Sequence, residues 1–350
     1  MSKKLTYGSD NVTSLYVGTQ KVKKIYAGSE LVYESTPPAP PAPTTPTDSI
    51  LFYSLTQFTI ESYAQTKTWD GTLYYSNDYS NWSTWDGTSG MASAQNDGWH
   101  KIYLRGVSNT IITGAAQKQF VITGSNIMCV GNMDKMLDYT QTPTMGASCF
   151  RALFLNNANV DFDITLPQTT LTERCYASMF KECSSMTKAP TLPATTLANY
   201  CYSYMFANCS SLVLPAQMSA TTLATCCCEY MYSHCTSMTN APSLPALTLV
   251  ASCYQYMFEY CSNLIQLPAL PATTGASYAY RYIFQYCSKI KMSKTQSATY
   301  PNIYRIPPTG TVTYVNGMTA GMFKSTGGSF TSGEGLINDT LQYTSNQIVS

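Results

Sequence analysis

Six times between Cys149 and Cys287 the chain writes the same 26-residue pattern. Its core, C-Y-x-x-M-F-x-x-C, stands at Cys175–Cys183, Cys201–Cys209 and Cys253–Cys261, with variants at Cys149–Asn157, Cys227–Cys235 and Ala279–Cys287. A period in the twenties kept without slipping does not suit an ordinary globule. Each repeat is one unit whose apolar face is covered only by its neighbours, so the expected architecture is a solenoid of stacked rungs.

Within a rung the first Cys, Met and second Cys are spaced i, i+4, i+8, and Tyr and Phe fall at i+1 and i+5. On a helix all five occupy one arc of about 140°, which predicts a short helix with that arc buried. Next come C-S/T-S/N-M/L, a short strand candidate, and P-x-L-P-A-x-T-L, as at Pro190–Leu197 and Pro242–Leu249. Two prolines forbid a continuous ladder there, so the return is expected to be extended with only short strands. Leucine columns run through Leu166, Leu192, Leu244 and Leu270, and through Leu171, Leu197, Leu223 and Leu249. The first rung replaces its second Cys with Asn157 and adds Asp161 and Asp163. The last has Ala279 for Cys, then Lys289, Lys291 and Lys294; Met322-Phe323 echoes the repeat inside a C-terminal cap.

Upstream the grammar differs. Leu5–Val12, Leu15–Val22 and Ile25–Val32 repeat every ten residues, each with short strand residues around a Gly-Ser or Gly-Thr turn, and predict a meander of hairpins over residues 1–35. So small a sheet is expected to pair with other chains or a larger body. Residues 36–48 are dominated by proline, threonine and alanine, a semi-rigid polyproline II spacer. Residues 49–145 carry strand patterns such as Gln57–Ser62, Thr72–Ser76, Lys101–Arg105, Thr110–Thr113 and Gln119–Thr123, with Asp-Gly turns at 70–71, 86–87 and 97–98. That spacing predicts an antiparallel β-sandwich whose core and rim hold Trp69, Trp82, Trp85 and Trp99.

Only 11 % of residues are charged and the net charge is +1, which gives no electrostatic handle for nucleic acid or an anionic membrane. No stretch approaches the roughly 18 apolar residues of a membrane span, and the Met1-Ser2-Lys3-Lys4 start lacks an apolar signal region, so cytoplasmic synthesis without membrane insertion is expected. Most of the 13 cysteines sit in repeat register, where free thiols stack as small hydrophobes.

The surface candidates are the residues at −1, +3 and +7 from each rung's first Cys: Tyr200, Tyr204, Tyr230, Tyr256, Tyr260, Tyr278, Tyr282 and Tyr286, with Cys226 and His234 in the same positions. They offer an aromatic shelf for a sugar or a receptor loop, or else they pack rung on rung. Cys226-Cys227-Cys228 beside His234 and Cys235 lacks the paired C-x-x-C spacing of a zinc site, so no metal and no cofactor is expected. With two histidines, His100 and His234, and no paired carboxylates or phosphate loop, no enzyme is expected either.

The consensus M-F-x-x-C-S/T-S/N-M/L followed by P-x-L-P-A-x-T-L resembles BspA-type leucine-rich repeats over residues 149–292, a family of bacterial surface proteins also found in phage genes. Leu73-Tyr-Tyr-Ser, Lys101-Ile-Tyr-Leu-Arg-Gly and Ser125-Asn-Ile-Met resemble the β-domain that often leads such repeats. Val22-Lys-Lys-Ile-Tyr-Ala-Gly-Ser-Glu-Leu-Val-Tyr33 resembles a short module of phage tail and virion proteins, which makes Tyr16, Val22, Ile25, Tyr26, Val32 and Tyr33 candidate attachment residues. These resemblances imply a multidomain chain: an N-terminal β module at 1–35, a linker at 36–48 and an antiparallel β-sandwich at 49–145. A right-handed leucine-rich-repeat α/β solenoid at 146–298 and a cap at 299–350 would follow. They imply a tail or head fibre on a virion surface, joined to other virion proteins through residues 1–35 and trimeric as a first expectation. Its solenoid would bind a host surface glycan or protein. The alternatives are a structural decoration protein and a bacterial surface adhesin.

Overall fold

The computed structural model describes residues 6–7, 10–11, 16–17, 20–21, 24–27, 30–34, 40–63, 65–114, 120–293, 297–299, 301–328 and 341–345. The chain divides into two compact units, Met1–Ala42 and Pro43–Ser350. In the first, each decapeptide forms one antiparallel hairpin: β1 (Thr6–Tyr7) with β2 (Asp10–Asn11), β3 (Tyr16–Val17) with β4 (Gln20–Lys21), and β5 (Lys24–Ala27) with β6 (Glu30–Glu34).

The second unit opens with β7 (Ile50–Ser54), β8 (Thr59–Ser62), β9 (Thr72–Ser76), β10 (Ser83–Trp85), β11 (Met91–Ala92), β12 (Ala94–Asn96), β13 (Trp99–Val107), β14 (Phe120–Thr123) and β15 (Ile127–Asn132). After α1 (Asp134–Leu137) comes β16 (Val160–Thr165). One sheet has the order β10-β9-β13-β7-β15-β16, with β12 also on β13; a second is β11-β8-β14. Two-residue alternation sends Ile50, Phe52, Ile102, Leu104 and Cys129 into the main core, and Leu51, Tyr103 and Val130 to the opposite face. Asp97 (φ 52°) and Gly98 (φ 84°) turn β12 into β13 with both residues left-handed, as a tight primed hairpin turn requires. Trp69 and Trp85 stack inside the core, while Trp82 and Trp99 are half-buried outside it.

Two features depart from an antiparallel sandwich. β16, which comes from the first repeat, pairs with β15 in parallel, so the large sheet is mixed. Thr110–Thr113 is not a strand: the Asp70 carboxylate accepts the Thr110 and Ile111 N–H groups, and the Cys149 carbonyl accepts those of Ile112 and Thr113.

The repeats themselves overturn the expectation of a right-handed leucine-rich-repeat α/β solenoid. The four residues of α1 are the only α-helix among the described residues, and none lies in a repeat. Where a helix was expected, successive turns link into a flat ribbon. In the ribbon at 200–209, Tyr200, Tyr202, Tyr204, Phe206 and Asn208 donate their N–H groups forward to carbonyls of the next repeat at 2.8–3.0 Å. The residues between them donate three residues back within the ribbon at 3.1–3.2 Å. Every fourth residue is left-handed: Tyr200 (φ 57°), Tyr204 (φ 56°) and Asn208 (φ 63°). A helix would spend every interior N–H on its own i−4 carbonyl and leave none for a neighbour.

The extended returns meet only in isolated parallel bridges, such as Thr170↔Thr196↔Thr222 and Thr248↔Thr274↔Thr313, because prolines interrupt any longer ladder. Between ribbons and returns run buried columns. Phe154, Phe180, Phe206, Tyr232, Phe258, Phe284 and Phe323 stack with centroids 5.4–5.8 Å apart. In rungs two to six the second cysteine donates its Sγ–H to a carbonyl of the preceding rung, as Cys235 does to Phe206 at 3.1 Å. Past the sixth repeat, Met318, Ala320, Met322 and Lys324 accept from Tyr280, Tyr282, Phe284 and Tyr286, forming a seventh ribbon. It is flanked by a mixed sheet, order β18-β20-β17-β19, of β17 (Lys291–Ser293), β18 (Asn302–Ile306), β19 (Gly327–Gly328) and β20 (Leu341–Ser345).

Candidate functional site

The four-residue period of each ribbon decides which side chains face water. In 200–209 the left-handed residues are half-buried and everything between them is buried. The positions −1, +3 and +7 are thus the left-handed ones, and repetition turns them into three columns. The sequence rule that singled out the tyrosines selects this face, although the conformation behind it is not helical.

The +3 column stacks Tyr204, Tyr230, Tyr256 and Tyr282 with centroids 4.6, 4.4 and 4.9 Å apart. The +7 column stacks His234, Tyr260 and Tyr286 at 4.4 and 4.3 Å. In the −1 column Tyr200 and Tyr278 are separated by Cys226 and Ser252, so the structure does not bring these two rings together. Tyr260 and Tyr278 are the most open, at 39 % and 45 % exposure. Packing and display coexist: ring faces cover one another and ring edges meet solvent.

Both ends of the face are closed. The Arg174 guanidinium lies over Tyr200 at 4.5 Å and pairs with Glu173; Lys181 approaches Tyr204 at 5.8 Å and pairs with Glu182 at 3.4 Å. At the other end, Arg281 lies over Tyr278 and Tyr282 at 4.9 and 4.8 Å. The seventh ribbon puts Gly317 (φ 79°) and Gly321 (φ 62°) where tyrosines would come next. A Cβ at Gly317 would sit 2.7 Å from the Tyr278 ring, and one at Gly321 would strike Tyr282, so backbone covers the last rings.

The face is nearly neutral. Burial, then Glu229 and Glu259, push the Tyr204 phenol up to about 12; burial also raises Tyr230, Tyr256 and Tyr260, and a hydrogen bond to Cys226 raises Tyr200. Burial lowers His234 and favours its uncharged form. Glu229 and Glu259, half-buried beside the columns, have carboxyls raised by burial. These two and Arg281 escape a search for tyrosines; their signal is position +2 or +6 of the same four-residue period.

Among the attachment candidates, Tyr16, Ile25, Tyr26, Val32 and Tyr33 lie in β3, β5 and β6, and Val22 lies outside the described residues. Among the described residues no three His, Cys, Asp or Glu side chains group as metal ligands, and no helix is long and apolar enough to cross a membrane. No family model, no curated protein and no solved structure matches the chain.

Proposed function

We propose that this chain is a bacteriophage virion appendage, a tail or head fibre, and acts as an adhesin through the tyrosine face of its stacked repeats. The observation that carries the reading is that face: a rigid, nearly uncharged array of half-exposed phenol edges, repeated at a fixed spacing. Aromatic side chains give large contact area at low entropic cost, and tyrosine adds a hydrogen-bonding edge. The hairpins of residues 6–34 and the proline-rich segment after them supply an attachment module and a spacer. Multiple copies on one particle would convert weak contacts into firm adhesion.

A second reading, a structural decoration protein, draws on the ring faces buried against each other, which favour a stiff element. Deleting residues 43–350, the whole second compact unit, separates the two. Stable particles that no longer adsorb to host cells support the adhesin; fragile particles support decoration. Purified particles in which mass spectrometry finds no trace of the chain overturn both.

A further inference from the structure

The same face points to the kind of ligand it takes, an inference that rests on the adhesive reading above. Sugars commonly settle on an open aromatic face, yet here the open faces are gone. Tyr230 and Tyr256 are each covered on both sides by rings 4.4–4.9 Å away. Tyr282 is covered by Tyr256 and the Gly321 backbone, Tyr278 meets Gly317 and Arg281, and Arg174 lies over Tyr200. Only edges remain, and the edges carry hydroxyls.

Those hydroxyls stand in rows. Tyr204, Tyr230, Tyr256 and Tyr282 form one row and Tyr260 and Tyr286 another, each ring lying 4.3–4.9 Å from the next. A phenol has one proton to give and accepts as well. Each exposed phenol edge therefore offers both a donor and oxygen lone pairs. The half-buried Glu229 and Glu259 add further acceptors. A matching ligand must therefore bring groups that both donate and accept, many of them, in a row.

Spacing and charge narrow the class. On this face the rings repeat every 4.3–4.9 Å along the columns. An extended peptide lying along that axis presents same-side groups only every ~6.5–7 Å and falls out of step after one residue pair. A linear chain of pyranose rings advances by about one ring length per unit, close to one step of these columns, and each unit carries hydroxyls that donate and accept. An acidic polysaccharide would set its carboxylates against two half-buried carboxyls, Glu229 and Glu259. Arg174 and Lys181 at one end are already paired with Glu173 and Glu182, and Arg281, over Tyr278 and Tyr282, is one cation against those two.

We infer that the tyrosine face binds a linear, uncharged polysaccharide laid along the stack axis, its hydroxyls hydrogen-bonding to successive phenol groups of Tyr204, Tyr230, Tyr256 and Tyr282. The chain-length dependence is the signature. Affinity should climb from disaccharide to about tetrasaccharide and then level off, with little sensitivity to salt.

The test uses the purified full-length chain and titration calorimetry against three probe sets. One is linear neutral oligosaccharides of glucose, mannose and N-acetylglucosamine, two to eight units long; the others are hyaluronate and alginate fragments, and a pool of random decapeptides. The companion variant Tyr230→Phe with Tyr256→Phe keeps both rings and so keeps the stack. At least one neutral series should bind with the stated length dependence, and the double variant should weaken it about three- to tenfold per hydroxyl with the thermal midpoint nearly unchanged. No millimolar binding to any neutral series, preference for the acidic fragments or the peptides, or unchanged affinity in the double variant overturns the inference. Particles carrying the double variant separate this failure from that of the adhesive reading. If they adsorb normally while particles whose chain lacks residues 43–350 do not, the adhesin stands and the polysaccharide falls.

Discussion

The repeated cysteines fill the core. Their thiols are unpaired, and in rungs two to six the second one donates to a carbonyl of the rung before, at 3.0–3.1 Å. The first rung shows what that position must do: its second cysteine is replaced by Asn157, whose amide donates to the Phe120 carbonyl at 2.7 Å and accepts the Ile122 N–H at 2.8 Å, joining the stack to β14. Burial raises the Cys175 and Cys209 thiols to about 12, which keeps them protonated and unreactive. Cys226, at a left-handed surface position, is the half-exposed exception. A thiol-reactive dye should therefore label one cysteine quickly in the native protein, identified by peptide mapping as Cys226, and all 13 only after unfolding. Several thiols reacting at one rate in native buffer would contradict the packing.

The carboxyl of Glu259 carries a second prediction at this scale. Burial raises it above the ordinary value of 4.5, so the folded state holds the proton more tightly than the unfolded state. Its contribution is fully present below that ordinary value and is lost as pH rises through the folded value. Glu259→Gln should therefore melt with the parent near pH 4 and above it at pH 8. His234, lowered by burial, works in the opposite sense, losing stability as pH falls below the usual histidine range; comparing variant with parent at each pH cancels that background. A variant that gains nothing at pH 8 would mean Glu259 is better solvated than its position implies.

The ribbon is where sequence reasoning met its limit. Cys, Met and Cys at i, i+4, i+8 share an arc on a helix, but each step drifts by about 40°; the strict spacing of four is the mark of a ribbon that returns to the same direction every four residues. The period, the buried columns and the outward tyrosines were all legible, since each depends only on which residues recur. The backbone was not, because tyrosine gives no warning of a left-handed conformation that costs about 1–2 kcal/mol in most residues. Stacking on two neighbours, at about 0.5–1.5 kcal/mol per pair, and the hydrogen bond to the next rung offset that cost. A substitution pair distinguishes the ribbon from a helix. Tyr230→Ala keeps the left-handed strain and loses both stacks, whereas Tyr230→Gly loses the stacks but relieves the strain. Glycine should be more stable than alanine here by about 1 kcal/mol, the reverse of the order in a helix, where glycine is worse by a similar amount. Denaturant melts of the two variants decide it.

At the scale of the molecule, one hydrophobic cluster runs from Ile50 in the first sheet through every rung to Phe323. The folding of residues 43–350 is thus a problem of register: alternate N–H groups of each ribbon are satisfied by carbonyls of the next, and the sheet that holds β16 starts the count while Gly317 and Gly321 close it. In such an array stability is close to a sum over neighbours. Removing residues 210–235 joins Cys209 to Thr236, which occupies the place of Ser210, and preserves every column. That shortened chain should fold, give the same far-UV circular dichroism shape and melt somewhat below the parent, because a single inter-rung interface is lost. Removing only 223–235 deletes less but sets a proline-rich return against a ribbon and leaves N–H donors of both buried without acceptors, at about 1–3 kcal/mol each. This smaller deletion should fail to melt cooperatively. If the two deletions behave alike, the rungs are not the interchangeable units that their hydrogen bonds describe.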